Sequence, residues 1–301
     1  MKATRPFTLL LMTLASPQVT PAGGLLPTAS DAGSIVCSAE GTAVELPPEV
    51  RESSGLAVSL LSPGTFWTHN DRGNGPELFA VDGSGRLLQR VIVAAVATDW
   101  EDIETGPCEE GNCIYIGDIG DNDAERSVIT IYRLQEPQAD DTRIDAVVAL
   151  HARYPDGPRD AESLFVRPNG DLYVITKGRR EEIALYRYPA PQRPDVIVQL
   201  ERVRVLFPEP DDSDDRVTAA TSTRDGRRIA VRTLRSLYFF MADDLMAGKA
   251  LRPEMISLAA LKEPQGEGLA IADGETVWLA SEADGRDEPP MLNRLRCSFP
   301  I

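Results

Sequence analysis

The stretch DWEDIETGPCEEGNCIYIGDIGDNDAERSVITIYRL, residues 99–134, contains three runs of β-forming residues separated by turn-forming residues. The runs are DWEDIETG, CIYIGDIGDN and ITIYRL. Aromatic and β-branched residues that alternate between Gly, Asp and Asn turns predict strands rather than helices. The acidic residues of the first two runs either form a metal-binding or catalytic site, or they are the solvated rim of a sheet.

Segments similar to DWEDIETG recur along the chain. They are ESSGLAVS from Glu52, DAESLFVR from Asp160, RVTAATST from Arg216 and QGEGLAIA from Gln265. The aligned third positions, spaced by 47, 61, 56 and 49 residues, are Ser54, Glu101, Glu162, Thr218 and Glu267. Repeats of this period predict a propeller or a solenoid.

Each copy continues with a second and a third strand-like run, and four copies have a fourth: RLLQRVIVA, AVVALHARY, VQLERVRVLF and EMISLAAL. The fifth copy lacks a fourth run, whereas SIVCSAEGTAVEL precedes the first copy and is unassigned. We therefore predict an all-β propeller of five four-stranded blades, whose ring is closed by the N-terminal strand joining the last blade. Six blades are the alternative, because the interval between Glu101 and Glu162 is long enough to contain further strands.

The four cysteines are predicted to form two disulfides. Cys108 and Cys113 flank the turn sequence EEGN, which suits a bond across a hairpin. The closure of the ring by both chain ends places Cys37 and Cys297 on neighbouring strands. Disulfides indicate an oxidising compartment.

The N-terminal sequence MKATRPFTLLLMTLASPQVTPAGG has a basic start, an apolar run and small residues after it. This pattern predicts a signal peptide at residues 1–22 and a single propeller domain at residues 23–301, in a periplasmic or secreted protein. No segment approaches the roughly 20 apolar residues of a membrane helix. We expect a monomer that does not associate with membranes.

The whole chain of 301 residues carries 47 acidic and 31 basic residues, a formal net charge of −16. This charge repels nucleic acids and anionic membranes and attracts cations. We therefore expect no nucleic-acid partner. A small anionic ligand is expected only beside basic residues or a bound metal.

In a propeller blade, the start of the first strand and the end of the second lie on one face of the ring. These positions are predicted to converge at the mouth of the central channel, and they are Glu52, Ser54, Asn70, Asp71, Asp99, Glu101, Asp102, Asp118, Asp121, Asn122, Asp160, Glu162, Lys177, Thr218, Arg232, Glu267 and Glu282.

Carboxylates that face one narrow channel repel one another unless protons or cations neutralise them. Calcium binds Asp, Glu and Asn oxygens in flexible geometry, and the chain has only two histidines for zinc or copper. The predicted Ca²⁺ ligands are Asn70, Asp71, Glu101, Asp102, Asp118, Asp121 and Glu267. The alternative is that these residues cap strand ends and tighten turns.

A metal flanked by Lys177 and Arg232 suits a phosphorylated or carboxylated ligand, with Glu101 or Glu162 as general base and His69 as a proton carrier. This arrangement predicts a metal-dependent hydrolase that acts on a phosphate ester or a lactone. The alternative is a non-catalytic binding or scaffold propeller, and the sequence does not decide between the two. For His69, the alternative is a hydrogen-bonded packing residue.

The segments ESSGLAVS, FWTHNDRGN, DWEDI, YIGDIGDN, DAESL and VTAATSTRDGRRIAVRT resemble a group of exported bacterial β-propeller proteins. More distantly, a glutamate at the head of the inner strand and Asn or Asp at the channel mouth are similar to gluconolactonase, regucalcin and phytase-like propellers. The resemblance to the lactonases implies that Glu101, Asn70 and Asp118 hold one metal at the channel centre.

Overall fold

The computed structural model describes Met1, residues 34–283 and residues 288–299. The predicted signal peptide, beyond Met1, and the predicted domain boundary at residue 23 lie outside these ranges. Within them, no helix has both the length and the apolar character that crossing a membrane requires.

The described chain is almost entirely strands joined by turns. The strands are β1 (Val36–Ala39), β2 (Val44–Glu45), β3 (Ser53–Val58), β4 (Thr65–Asn70), β5 (Glu77–Asp82), β6 (Leu87–Val93), β7 (Trp100–Cys108), β8 (Gly111–Asp118), β9 (Ile129–Gln135), β10 (Arg143–Ile144), β11 (Val147–Arg153), β12 (Ala161–Val166), β13 (Leu172–Thr176), β14 (Ile183–Arg187), β15 (Val198–Gln199), β16 (Glu201–Phe207), β17 (Val217–Ser222), β18 (Arg228–Thr233), β19 (Ser236–Met241), β20 (Glu254–Ser257), β21 (Gln265–Ile271), β22 (Thr276–Glu282) and β23 (Met291–Ser298). A short helix α1 (Ala242–Met246) and two 3₁₀ turns (Ser213–Asp215 and Ala259–Leu261) complete the described elements.

The strands form five antiparallel blades, which confirms the five-bladed prediction over the six-bladed alternative. From the inner to the outer strand, the blades are β3-β4-β5-β6, β7-β8-β9-β11, β12-β13-β14-β16, β17-β18-β19-β20 and β21-β22-β23-β1. The long interval between Glu101 and Glu162 contains β10, which pairs in parallel with β6 of the first blade. Its extra residues therefore extend an existing blade and do not build a sixth one.

The N-terminal strand β1 closes the ring as the outer strand of the fifth blade. It pairs antiparallel with β23, with Cys37 directly opposite Cys297, and the two cysteines form a disulfide. Cys108 and Cys113 form the second disulfide, across the β7-β8 hairpin. Both predicted disulfides are therefore confirmed.

Apolar side chains fill the space between every pair of adjacent blades. Five separate buried clusters correspond to the five blade interfaces. The inner strands approach one another so closely that a Cβ atom at Gly55 would lie 2.8 Å from the backbone nitrogen of Ile103. Apolar packing between adjacent blades therefore stabilises the ring, in addition to the closing strand.

Each inner strand contains a β-bulge near its start. The register with the second strand skips one residue in every blade, and the skipped residues are Ser54, Glu101, Glu162, Thr218 and Glu267. These are the five aligned positions of the sequence repeat. A bulge bends its strand and re-aims the side chain of the extra residue, so the repeat marks a conformational feature as well as a sequence feature.

The disulfide between Cys37 and Cys297 closes a loop of 260 residues, whereas that between Cys108 and Cys113 closes a loop of 5. Chain-entropy arguments give a stabilisation of about 5.6 kcal/mol for the long loop and about 2 kcal/mol for the short one. We therefore predict that the double change Cys37→Ser and Cys297→Ser lowers the free energy of unfolding in urea more than Cys108→Ser with Cys113→Ser does. Equal losses for the two pairs would contradict the closing role of β1.

Candidate metal centre at the channel mouth

The five bulge residues line the start of the channel and are buried. Their side chains are between 2% and 5% exposed, and they are Ser54, Glu101, Glu162, Thr218 and Glu267. The pairing of each first-strand start with a second-strand end, such as Trp100 with Asp118, places the predicted mouth positions on one face. Three carboxyl groups and two hydroxyl groups therefore form the inner ring of the mouth.

Lys177 follows β13 and supplies an ammonium group to this ring. Its Nζ forms an ion pair with Glu162, and its side chain is 17% exposed. Burial alone lowers the pKa of Lys177, but the neighbouring Glu162, Glu267 and Glu101 outweigh burial and raise it. Lys177 therefore stays charged and neutralises one of the three carboxylates.

The carboxyl groups of Glu101 and Glu162 are both buried and lie close enough to repel each other when ionised. Burial, followed by repulsion from Glu162, raises the pKa of Glu101 well above its ordinary value. Burial also raises the pKa of Glu162, although Lys177 opposes this shift. Two buried carboxyl groups that repel each other in this way favour a state in which one of them carries a proton.

A group of three carboxyl groups lies beside this pair. Oxygen atoms of Asp71, which follows β4, Asp99, which precedes β7, and Glu101 all lie within 4.8 Å of one another. Burial and then the charge of Asp71 raise the pKa of Asp99 to about 6. Burial likewise raises the pKa of Asp71.

Asp99 is 4% exposed, and its Oδ1 atom has no hydrogen-bond partner among the described residues. A buried carboxylate oxygen without a partner is costly unless a proton or a cation satisfies it. Oxygen ligands of this kind are the ones that calcium prefers. Asp71, Asp99 and Glu101 are thus suited to hold a divalent cation.

The loop after β8 packs directly on these carboxyl groups. A Cβ atom at Gly120 would overlap Glu101 Oε1 and would lie 2.7 Å from Asp99 Oδ2. Glycine is therefore required at this position for both carboxyl groups to keep their places.

Glu267 and Glu282 form the other side of the mouth. The side-chain amide of Gln265 donates to Glu267 Oε1 at 2.8 Å and to Glu282 Oε2 at 2.9 Å, while Glu267 Oε2 is buried without a partner among the described residues. Burial, followed by neighbouring carboxylates, raises the pKa of Glu267 to about 8 and that of Glu282 to about 9. We call Asp71, Asp99, Glu101, Glu162, Lys177, Glu267 and Glu282 the mouth cluster.

Two predicted ligands on the β8 side already have several protein partners. Asp118 Oδ1 accepts hydrogen bonds from Arg126 Nη2 at 2.7 Å and from the Asp99 backbone at 3.2 Å. The carboxylate of Asp121 accepts from the backbone nitrogens of Glu125 at 2.9 Å and Arg126 at 2.7 Å, which stabilises the loop that carries Gly120.

Asp102 and Asn70 likewise bond to the backbone. Asp102 accepts hydrogen bonds from the backbone of Ile103, from that of Leu164 in the third blade at 2.9 Å and from that of Ala220 in the fourth blade at 3.4 Å. Asn70 Oδ1 accepts from the Glu52 nitrogen at 3.0 Å. These residues lie around the group of three carboxyl groups and order its surroundings.

The predicted catalytic residues His69 and Arg232 lie in buried, structured positions. His69 Nδ1 donates to the Asn70 carbonyl at 3.1 Å, and burial lowers the pKa of His69 to about 4, so the ring is neutral. Arg232 donates to the Gly268 and Ala280 carbonyls at 2.6 and 3.0 Å and pairs with Glu263 at 2.5 Å. Arg232 thus connects the fourth and fifth blades.

No protein-family model matches this sequence, and a search of curated proteins finds no match. The fold is similar to the PQQ-bound aldose sugar dehydrogenase of Streptomyces coelicolor, with a TM-score of 0.53, 11% identity, and coverage of 88% of this chain and 98% of that one. The similarity is lower to a glucose dehydrogenase of Thermus thermophilus, with a TM-score of 0.49, 11% identity, and coverage of 87% of this chain and 99% of that one. It is also lower to a calcium-binding regucalcin of Agrobacterium tumefaciens, with a TM-score of 0.45, 11% identity, and coverage of 86% of this chain and 96% of that one. The similarity to the Streptomyces enzyme shows a shared propeller fold. The activity of this chain has to be inferred from its own residues.

The raised pKa values predict how stability depends on pH in the absence of divalent cations. The folded protein holds protons on Glu267 and Glu282 up to pKa values of about 8 and 9, whereas the ordinary value is 4.5. Their contribution to stability is complete below the ordinary value and is lost as pH rises through the folded values. We therefore expect the free energy of unfolding to fall between about pH 7 and about pH 9.

Urea unfolding in buffers that contain EDTA measures this trend. His69, with its lowered pKa, affects stability at lower pH and does not obscure this interval. Replacing Glu267 and Glu282 together by glutamine should make the fall less steep, and Glu104, whose pKa burial raises to about 8, accounts for part of what remains. Stability that is constant or rises between about pH 7 and about pH 9 in the unaltered protein would contradict the buried, repelling carboxyl groups.

Proposed function

We propose that this protein binds a divalent cation at the channel mouth through Asp71, Asp99 and Glu101, and that the ion is Ca²⁺. The observation that carries the proposal is the convergence of three carboxyl groups within 4.8 Å, with Asp99 Oδ1 buried and without a partner among the described residues. Calcium accepts irregular sets of oxygen ligands. All four cysteines form disulfides, so they supply no thiolate ligands for zinc.

The two disulfides support an exported protein, since such bonds persist in oxidising compartments, where calcium is also abundant. Calcium takes roughly six to eight oxygen ligands. Three carboxyl groups therefore leave positions for water or for an oxygen of a bound small molecule, which is what a catalytic site needs.

We further propose that the mouth hydrolyses an anionic small molecule, either a phosphate ester or a lactone. When bound, the cation supplies Lewis acidity to an ester oxygen and to a water molecule. Lys177 holds a positive charge next to the three carboxyl groups and is placed to stabilise negative charge that develops on the substrate. Glu162 lies beside Lys177 and Glu101 and, in its ionised form, accepts a proton as general base.

The second candidate is a non-catalytic binding propeller in which the cation only neutralises the mouth. The buried contacts of Arg232 and His69 favour it, because these side chains stabilise the ring and do not face a substrate.

Calcium should raise the melting temperature of the chelator-treated protein, because it binds the folded state and neutralises the repulsion among the carboxylates of Asp71, Asp99 and Glu101. Asp99→Asn and Glu101→Gln should each abolish this rise. Both variants lose a repelling charge, so without calcium they should melt at or above the temperature of the unaltered protein. Differential scanning calorimetry with and without calcium measures both effects.

Asp123→Asn is the matched control, because Asp123 is an exposed carboxylate in the same loop as Gly120. It should keep the full calcium response. Gly120→Ala should weaken the response without removing any ligand, since its Cβ displaces Glu101 and Asp99. A calcium response that persists in Asp99→Asn would show that the ion binds elsewhere.

Hydrolysis predicts that Glu162→Gln lowers turnover by about a hundredfold or more, the usual contribution of a general base. The calcium-dependent rise in melting temperature should be retained in this variant. A panel of aryl phosphates, aryl esters and lactones, assayed with calcium, supplies the measurement. A protein that binds calcium but turns over no member of the panel would favour the non-catalytic candidate.

A further inference from the structure

A cavity of about 760 Å³ lies at the opposite end of the channel from the mouth cluster. It is bordered by the turns between the first and second strands of all five blades, represented by Pro63, Asn112, Pro168, Arg224 and Asp273. Its volume is within the range of small-molecule binding sites. Five separate segments of the chain therefore build one cavity that is open to solvent at the rim.

The walls of this cavity are mainly apolar. They include Val58, Phe66, Val166, Ile271 and Trp278. The aromatic rings of Phe66 and Trp278 contact each other, with centroids 4.7 Å apart, so this part of the wall is fixed by packing. A ligand that fills the cavity must present a hydrocarbon surface to these side chains.

Glu104, on the inner strand β7, is the acidic group at the buried end of the cavity. It is 8% exposed. Its Oε1 accepts from the Thr105 nitrogen at 2.9 Å, and its Oε2 accepts from the Thr221 hydroxyl at 2.6 Å. Among the described residues, these donors are neutral, and no basic side chain forms an ion pair with Glu104.

No basic side chain therefore compensates Glu104 when this carboxyl group is ionised. Burial raises the pKa of Glu104 to about 8, so a cation that enters the cavity would stabilise the ionised form. At the rim, Arg224 and Asp273 carry opposite charges, so the entrance does not select for an anion. The net charge of −16 draws cations toward the protein as a whole.

We propose that this cavity binds an organic cation, an amine with an apolar body, whose ammonium group pairs with Glu104. The apolar body packs against Phe66, Trp278 and the aliphatic walls. The ammonium group supplies the positive charge that the surroundings of Glu104 lack, and its hydrogen bonds replace water at the buried end. The site is separate from the mouth cluster, because Asp102 lies between Glu101 and Glu104 and bonds across to the third and fourth blades.

Three probes with one apolar body and different head groups test the proposal: phenylbutylamine, phenylbutanol and phenylbutyrate. Isothermal titration calorimetry on the full protein should show that the amine binds about tenfold or more tightly than the alcohol, which corresponds to one charge-assisted hydrogen bond. The butyrate should bind most weakly. Quenching of tryptophan fluorescence by the amine should accompany binding, because Trp278 lines the cavity.

Glu104→Gln keeps the shape of the side chain and removes its charge. It should bring the affinity for the amine down to that for the alcohol and leave the affinity for the alcohol unchanged. Val58→Trp fills the cavity and should lower the affinity for all three probes. This second variant keeps the test informative if the other fails to fold. Asp99→Asn, at the opposite end of the channel, should leave amine binding intact.

Four results would overturn the proposal. They are equal or stronger binding of the butyrate, a preference for the amine that survives Glu104→Gln, loss of amine binding in Asp99→Asn, and no binding of any probe. The third result would place the amine among the mouth carboxylates.

Discussion

Repulsion among buried carboxyl groups at the channel mouth is the constraint on which the chemistry of this propeller depends. Six carboxyl groups surround the single ammonium group of Lys177 in the mouth cluster, and burial raises the pKa of every one of them. Such an arrangement persists only where protons or cations supply the missing positive charge. The fold must also hold the groups together against their own repulsion.

The architecture meets that requirement in three ways. The disulfide of Cys37 with Cys297 fastens the closing strand, five apolar clusters join the blades, and Asp102 bonds to the inner strands of the third and fourth blades. Within this rigid ring, the bulges turn Glu101, Glu162 and Glu267 into the mouth. Strand geometry, and not loop flexibility, therefore sets the positions of the central carboxyl groups.

The sequence predicted the blade count, the closing strand and the cysteine pairs. The last repeat lacks one strand and one strand-like segment precedes the first repeat, and few topologies accommodate both. It also identified the five bulge positions, though not the bulges themselves. It named Asp118 as a ligand and left out Asp99, since the difference lies in Arg126, a partner that the loop brings back to Asp118. Glu104 was missed, because an acidic residue inside a β-run gives no sign in the sequence of the cavity that it faces.

The central claim is that a divalent cation binds between Asp71, Asp99 and Glu101, and crystallography tests it most directly. Crystals grown with calcium, or with a lanthanide in its place, should give an anomalous difference peak within bonding distance of oxygens from all three side chains. The account predicts one such peak at the channel mouth. An empty mouth at saturating ion concentration, with Asp99 and Glu101 bonded only to protons or water, would contradict it.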